Sequence, residues 1–329
     1  MAMEIGILAL KSAFLVALLL TACAYMTLLE RRMLGRFQVR IGPNRVGPFG
    51  LLQPLADGIK LLVKEDFIPR GADLLVYWLA PGLSMVTALL VYAVIPFGPE
   101  IRIFGKEVPL YLADVNVGIL LVLAISSLGV YGIVLGGWSA NNKYALLGSL
   151  RSTAQLISYE LALGLAVISV VLQVGSLSLV DIVKAQKRVW FVVTQPVAFL
   201  LFFVAGVAET NRSPFDLPEA EHELIAGYHI EYGGFKFAMY YVAEYINVVT
   251  MSALAVTLFW GGWHGPWLPA PLWFLLKVFG FVSVFIWIRA TLPRVRYDHL
   301  MALGWKVLVP VGLANVLATA VALALPRGT

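Results

Sequence analysis

The chain is poor in charge and almost without metal-binding side chains. Charged residues make up 13% of its 329 residues, about half the share found in ordinary soluble domains. There is one cysteine, Cys23, and there are four histidines: His222, His229, His264 and His299. One cysteine can neither close an internal disulfide nor supply the four thiolates of an iron–sulfur cluster. No two histidines stand four residues apart on a helix, so no bound metal is expected. Also absent are a Gly-x-Gly-x-x-Gly run after a strand, a Gly-Lys-Ser/Thr phosphate loop and a Ser/His/Asp order. These absences argue against covalent or metal-centred chemistry. No internal repeat and no low-complexity segment is evident.

What is present is apolar surface. Hydrophobic residues reach 60% and the mean hydropathy is +0.86, which excludes a soluble globular enzyme. A membrane helix needs roughly 20 mostly apolar residues to cross the hydrocarbon. Eight stretches meet that length, near 5–29, 74–97, 114–137, 153–175, 190–208, 237–260, 272–292 and 305–325. They predict an all-α polytopic membrane protein of about eight transmembrane helices, with residues 1–329 as a single integral membrane domain. The first stretch carries Glu4 where a signal peptide has a basic leader, and Glu30-Arg31-Arg32 follows it instead of a small-residue cleavage site, so it reads as a retained helix.

Charge is distributed unevenly between the connections. The odd-numbered ones hold fourteen Lys and Arg residues, eight of them within 30–73, and the even-numbered ones hold five. Cationic connections stay on the cytoplasmic side, so both termini are expected on the outer, periplasmic-type side. Within the first loop, Arg40-Ile-Gly-Pro-Asn-Arg-Val-Gly-Pro-Phe-Gly50 is too rich in glycine and proline for helix or strand and must be a turn-built backbone. An amphipathic surface helix follows, with Leu52, Leu55, Ala56, Ile59, Leu62 and Val63 on one face and Gln53, Asp57, Lys60 and Lys64 on the other. Periodicity alone leaves a plain interfacial anchor equally open for that helix.

The fifth connection, 209–236, is acidic. It carries Glu209, Asp216, Glu219, Glu221, Glu223 and Glu231 against Arg212 and Lys236, and Asp216-Leu-Pro-Glu219 looks like a helix start. Helix-dipole compensation accounts for Glu219 and Glu221 but not for Glu223, which faces Glu219 one turn on. Clustered carboxylates near low dielectric can share protons; a solvated acidic loop is the plainer alternative. Ionisable groups also fall inside the apolar runs: Glu160, Glu244, Lys277 and, near an end, Lys11. Each costs about 3 kcal/mol at a helix centre, which favours an interior position, either on a proton relay or in a Lys–Glu pair that fixes packing.

These blocks carry a resemblance. The run from Glu30 to Asp57, the run Ala208-Glu-Thr-Asn-Arg-Ser-Pro-Phe-Asp-Leu-Pro-Glu-Ala-Glu-His-Glu-Leu224 and its continuation Gly227-Tyr-His-Ile-Glu-Tyr232 closely resemble the two signatures of the NuoH family, a membrane component of respiratory complex I. Asn142-Lys-Tyr-Ala-Leu-Leu-Gly148, Ser158-Tyr-Glu160 and Arg289-Ala-Thr-Leu-Pro-Arg-Val-Arg-Tyr-Asp298 are similar to further blocks of that family. The resemblance implies a proton-translocating NADH:quinone oxidoreductase in which this chain carries no electrons and no metal, flavin or iron–sulfur cluster. Its substrate would be a lipid quinone, ubiquinone or menaquinone, reduced in a chamber formed by loop 30–73 and two peripheral-arm subunits. By the same carry-over, Arg31, Arg40 and Asp57 line the passage, and Glu209 and Arg212 lie near its inner end. Arg289, Arg294 and Arg296 border it. Glu219, Glu221, Glu223 and Glu231 form an acidic funnel that Glu160 and Glu244 continue toward antiporter-like subunits. Small membrane subunits and lipid are the other implied partners, nucleic acid is not one, and the implied location is the bacterial cytoplasmic (inner) membrane.

One position departs from some relatives, which have a carboxylate in the third span where this chain has Ser127; a serine holds water but does not ionise. Three other readings compete: the ion-translocating membrane subunit of an energy-converting hydrogenase, a stand-alone secondary transporter, and an anchor with no part in the chemistry. The intact Gly-Pro run disfavours the first, and the lack of matching halves disfavours the second.

Overall fold

The computed structural model describes residues 2–103, 106–217, 225 and 227–325. Helix α1 (Ala2–Phe37) is followed by a 3-10 turn at Pro48–Gly50 and then by α2 (Gln53–Val63). Next come α3 (Leu74–Leu90), a two-stranded ribbon of β1 (Ile101–Ile103) and β2 (Lys106–Val108), α4 (Gly118–Ser139) and α5 (Lys143–Val174). Two short helices, α6 (Leu179–Ala185) and α7 (Phe191–Thr194), lead into α8 (Pro196–Glu209). The chain ends with α9 (Gly234–Phe259), α10 (Ala270–Thr291), α11 (Tyr297–Leu303), a π-turn at Gly304–Leu308 and α12 (Val309–Ala324).

Among the described residues, seven helical stretches are long and apolar enough to cross a membrane, the last of them running through α11 and α12. The eighth, expected near 190–208, is shorter. Gln195 leaves helical geometry and Pro196 restarts the helix at its first turn, so the run is split into α7 and the 14-residue α8. The ribbon is antiparallel, with Ile101 opposite Val108, and was not expected. Nor was the length of α1, which continues past the apolar run and takes Glu30, Arg31, Arg32 and Arg36 into the helix.

Helix ends follow local chemistry. Asn142 caps α5 by accepting the Tyr144 amide at 2.9 Å, and Gly175, at φ 75°, closes it in the left-handed conformation. Asp73 accepts the Val76 amide at the start of α3. The first-loop Gly-Pro run is a chain of turns, with Gly47 and Gly50 at φ 72° and 73°.

The bundle is organised around α9. In its most apolar window 78% of residues are buried, against 17% for α1 and for the final span, which lie at the rim. Helix α4 touches three neighbours through glycines. A Cβ at Gly132 would come 3.0 Å from the Ala80 carbonyl of α3, one at Gly136 3.2 Å from the Tyr240 ring of α9, and one at Gly137 2.6 Å from the Ala145 carbonyl of α5. Small residues let membrane helices approach closely where no hydrophobic driving force draws them together.

Candidate functional site

Leu19, Cys23, Met26 and Glu30 recur at helical spacing along α1, and all four are buried. The carboxylate of Glu30, 5% exposed, is therefore delivered into the interior at the end of an apolar stripe. There it accepts hydrogen bonds from Arg289 of α10 and from the Tyr245 hydroxyl of α9. Arg212, just beyond α8, places one guanidinium nitrogen 4.0 Å from Glu30 and its Nε 2.9 Å from Glu244 of α9. The Arg212 guanidinium also lies over the Tyr245 ring at 4.3 Å, and the Tyr241 and Tyr245 hydroxyls are 2.9 Å apart. Two carboxylates thus meet two guanidiniums in the interior. A lone buried charge costs several kcal/mol, and this balance offsets it.

Arg212 reaches the cluster because its turn is held. Gln155 of α5, fully buried, donates from Nε2 to the carbonyls of Ala208 and Phe215 at 2.7 and 2.9 Å and to Asn211 Oδ1 at 3.3 Å. Asn211 itself sits at φ 51°. The segment after α10 fastens the same turn: Val295 donates its amide to the Pro214 carbonyl at 3.0 Å, and Arg294 donates to the Asp216 carbonyl.

A cavity of about 80 Å³ with a mixed apolar and polar lining adjoins the cluster, with room for several waters. Glu209 and Glu244 open into it, together with Asn247, Thr250, Tyr240 and Ser126. Residues 240, 244, 247, 251 and 254 form the α9 wall at helical spacing. Glu209 Oε2 is buried with no hydrogen-bond partner among the described residues. Glu160 of α5 lies close enough to Glu209 for their charges to interact, and it accepts a hydrogen bond from Ser127 of α4. The position that departs from some relatives is therefore occupied by a donor to the next carboxylate along.

The other expected residues lie apart from this centre. Arg31 pairs with Asp57 at 2.7 Å, and Gln53 and Lys60 also approach Asp57, at 3.1 and 3.6 Å, on the more exposed outside of α1 and α2. Arg40 is exposed, bonded to Gln38 at 2.7 Å, and shares a surface hollow with Arg32 and Arg36. Arg296 makes an exposed local pair with Asp298, at 3.2 Å. Glu231 accepts from Asn142 Nδ2 at 2.7 Å, so Asn142 both caps α5 and holds the acidic connection. Glu219, Glu221 and Glu223, with the helix start expected there, lie outside the described residues. Among the described residues Lys277 pairs with no carboxylate and lines no part of the cavity: its ammonium donates to the carbonyls of Trp260, Gly262 and His264 at 2.7, 3.0 and 2.7 Å, closing the C-terminal end of α9. Lys11, near the end of its run, donates to the Pro109 carbonyl at 3.2 Å.

Sequence reasoning passed over Glu30, Tyr245 and Gln155 as site residues. Glu30 had a usable signal, since it continues the Leu19–Cys23–Met26 stripe. Gln155 had none, because a neutral side chain in a mixed helix gives no sign of burial.

A protein-family model described as NADH dehydrogenase matches residues 10–320. An H subunit of the NADH-quinone oxidoreductase of Geobacter metallireducens is 56% identical over 318 residues, covering 97% of this chain and 97% of its own. The H subunit of the Protochlamydia amoebophila NADH-quinone oxidoreductase is 57% identical over 300 residues, covering 91% of this chain and 92% of its own. That of Thermomicrobium roseum is 56% identical over 312 residues, or 92% of each. The family model takes in all the residues that meet at Glu30 and the cavity, so the chain belongs to the NADH dehydrogenase family, with the H subunits of NADH-quinone oxidoreductase.

Proposed function

We propose that this chain links quinone reduction to proton translocation in a bacterial complex I, through the carboxylates that meet at its interior cavity. The observation that carries the reading is the junction itself: Glu30, Arg212, Arg289 and Glu244 form a paired cluster, and Glu244 opens from it into a space with room for water that Glu209 also lines. Two unit charges 4 Å apart interact by about 4 kcal/mol at the effective dielectric of a protein. That is roughly three tenfold steps in proton occupancy, so a charge appearing on a reduced quinone nearby is enough to move a proton along the chain of acids.

In this reading the lipid quinone, ubiquinone or menaquinone, enters beside α2. Arg31, Asp57 and Arg40 border its passage, while Arg294 and Arg296 hold the wall formed after α10. Electrons arrive from a partner's redox centre, and this chain supplies only orientation, charge and proton positions. Glu231, Glu219, Glu221 and Glu223 collect protons on the basic, cytoplasmic side. Glu209, Glu160 and Glu244 pass them toward neighbouring membrane subunits. The whole chain acts as one integral domain of the cytoplasmic membrane, with its termini outside and peripheral-arm subunits seated on loops 30–73 and 209–236.

The test is Glu244→Gln in the assembled membrane enzyme, with NADH:quinone turnover and proton pumping followed together. Reduction of an artificial acceptor by NADH serves as the control for intact assembly. Turnover and pumping are expected to fall at least tenfold, a step equivalent to about 1.4 kcal/mol, with the acceptor rate unchanged. Wild-type turnover and pumping in the variant rule the reading out.

A further inference from the structure

Lys236 is fully buried, although it lies in the first turn of α9, where a helix disfavours cations. Its ammonium is 2.8 Å from Asp66, which belongs to the segment that follows α2. It also lies over the rings of Tyr77 and Trp78 of α3, at 4.7 and 4.1 Å. The backbones around it approach closely as well. Gly234, at φ 51°, leaves only 3.3 Å between a would-be Cβ and the Lys64 carbonyl, and one at Gly233 would stand 3.5 Å from the Phe67 ring. Three parts of the chain are thus gathered on one cation: the segment after α2, the start of α3 and the start of α9. Neither the resemblance nor the charge pattern of the connections singles out this pair.

We infer that Lys236 is a positioning residue: through Asp66 it binds the α2 segment to α9, so that Asp57 on α2 and Glu244, two turns along α9 from Lys236, are carried by one rigid unit. This rests on the proposed quinone passage and proton path, and it assigns the part that holds the two in register. The pair is asymmetric. Asp66 is 31% exposed and can be hydrated when left alone, whereas Lys236 cannot.

The experiment compares Lys236→Met, Lys236→Arg, Asp66→Asn and the double variant in the assembled enzyme. A short-chain ubiquinone is the probe, and the artificial-acceptor rate is the assembly control. Lys236→Met is expected to raise the quinone KM by about fivefold, within the range of coupling residues, with kcat and the acceptor rate close to wild type. Lys236→Arg restores KM. Asp66→Asn does more harm than Lys236→Met because it strands a buried ammonium, and the double variant returns to the Lys236→Met level. An unchanged KM in Lys236→Met overturns the inference, and so does a fall in acceptor rate that parallels the loss of quinone turnover, which marks a folding role alone. The underlying reading fails separately: Asp57→Asn and Glu244→Gln would then both leave quinone kinetics at wild type, whatever Lys236 does.

Discussion

At the residue scale, pairing decides what each charge can do. The Arg31–Asp57 pair is 45% and 21% exposed, and exposed pairs contribute at most about 1 kcal/mol to stability. Arg31→Ala should therefore leave the amount of assembled enzyme in membranes unchanged. A loss of quinone turnover in that variant then reports on the proposed passage and not on folding. Ser127→Ala removes the hydroxyl that donates to Glu160. A hydrogen bond contributes about 1 kcal/mol, so under the proposed proton path coupled pumping should drop by roughly fivefold, while Ser127→Thr, which keeps the hydroxyl, retains it. Much of this was legible in the residue types. Glu209, Arg212, Glu244 and Arg289 each stand out as a charge in or beside an apolar run. Their convergence was not legible, because it depends on Arg212 leaving α8 through a turn held by Gln155, and nothing in one dimension aims that turn at α1.

At the element scale, hydropathy located seven full spans, and Pro196 explains why the eighth is short. The β-ribbon escaped notice because three-residue strands carry no periodicity to read. Helix contacts at α4 are set by glycine, which allows a paired comparison. Gly136→Ala drives a methyl group into the Tyr240 ring and hydroxyl, whereas Gly164→Ala on α5 meets nothing within 4 Å. Overpacking of the first kind costs about 1–3 kcal/mol, while alanine in an open helix position gains up to about 1 kcal/mol over glycine. Gly136→Ala should lower the thermal midpoint of the detergent-solubilised enzyme and its level in membranes. Gly164→Ala should hold or raise both.

At the scale of the whole molecule, the two ends of α9 differ in kind. Its start is gathered on Lys236 and borders the acidic connection, and its finish is clamped by Lys277. Beside that clamp, His264 approaches the Val183 carbonyl at 3.1 Å. Burial, with Lys277 and Lys187 nearby, pulls the imidazole below its ordinary value of 6.5, though its bond to Val183 works the other way. The folded state therefore favours the neutral ring. The contribution of His264 to stability is complete above 6.5 and is lost as pH falls through the lowered folded value. Thermal midpoints measured from pH 8 down to about 5 should decline more steeply for the natural chain than for His264→Gln.

The residues of α9 from Ala253 to Phe259 are almost wholly buried and, Thr257 apart, apolar, and Phe199, Phe281 and Trp260 close around its end. Leu254 still lines the cavity, but beyond it the side chains of α9 are apolar apart from Thr257, whose carbonyl accepts from Gln186 at 2.8 Å. Under the proposed function the cavity would then be a cul-de-sac with respect to the far face of the bilayer. Under that proposal a proton reaching Glu244 would turn sideways into a neighbouring subunit, which would make this chain a corner in the route and not a pore. Vesicles holding the chain alone should keep an imposed pH gradient as well as plain lipid does.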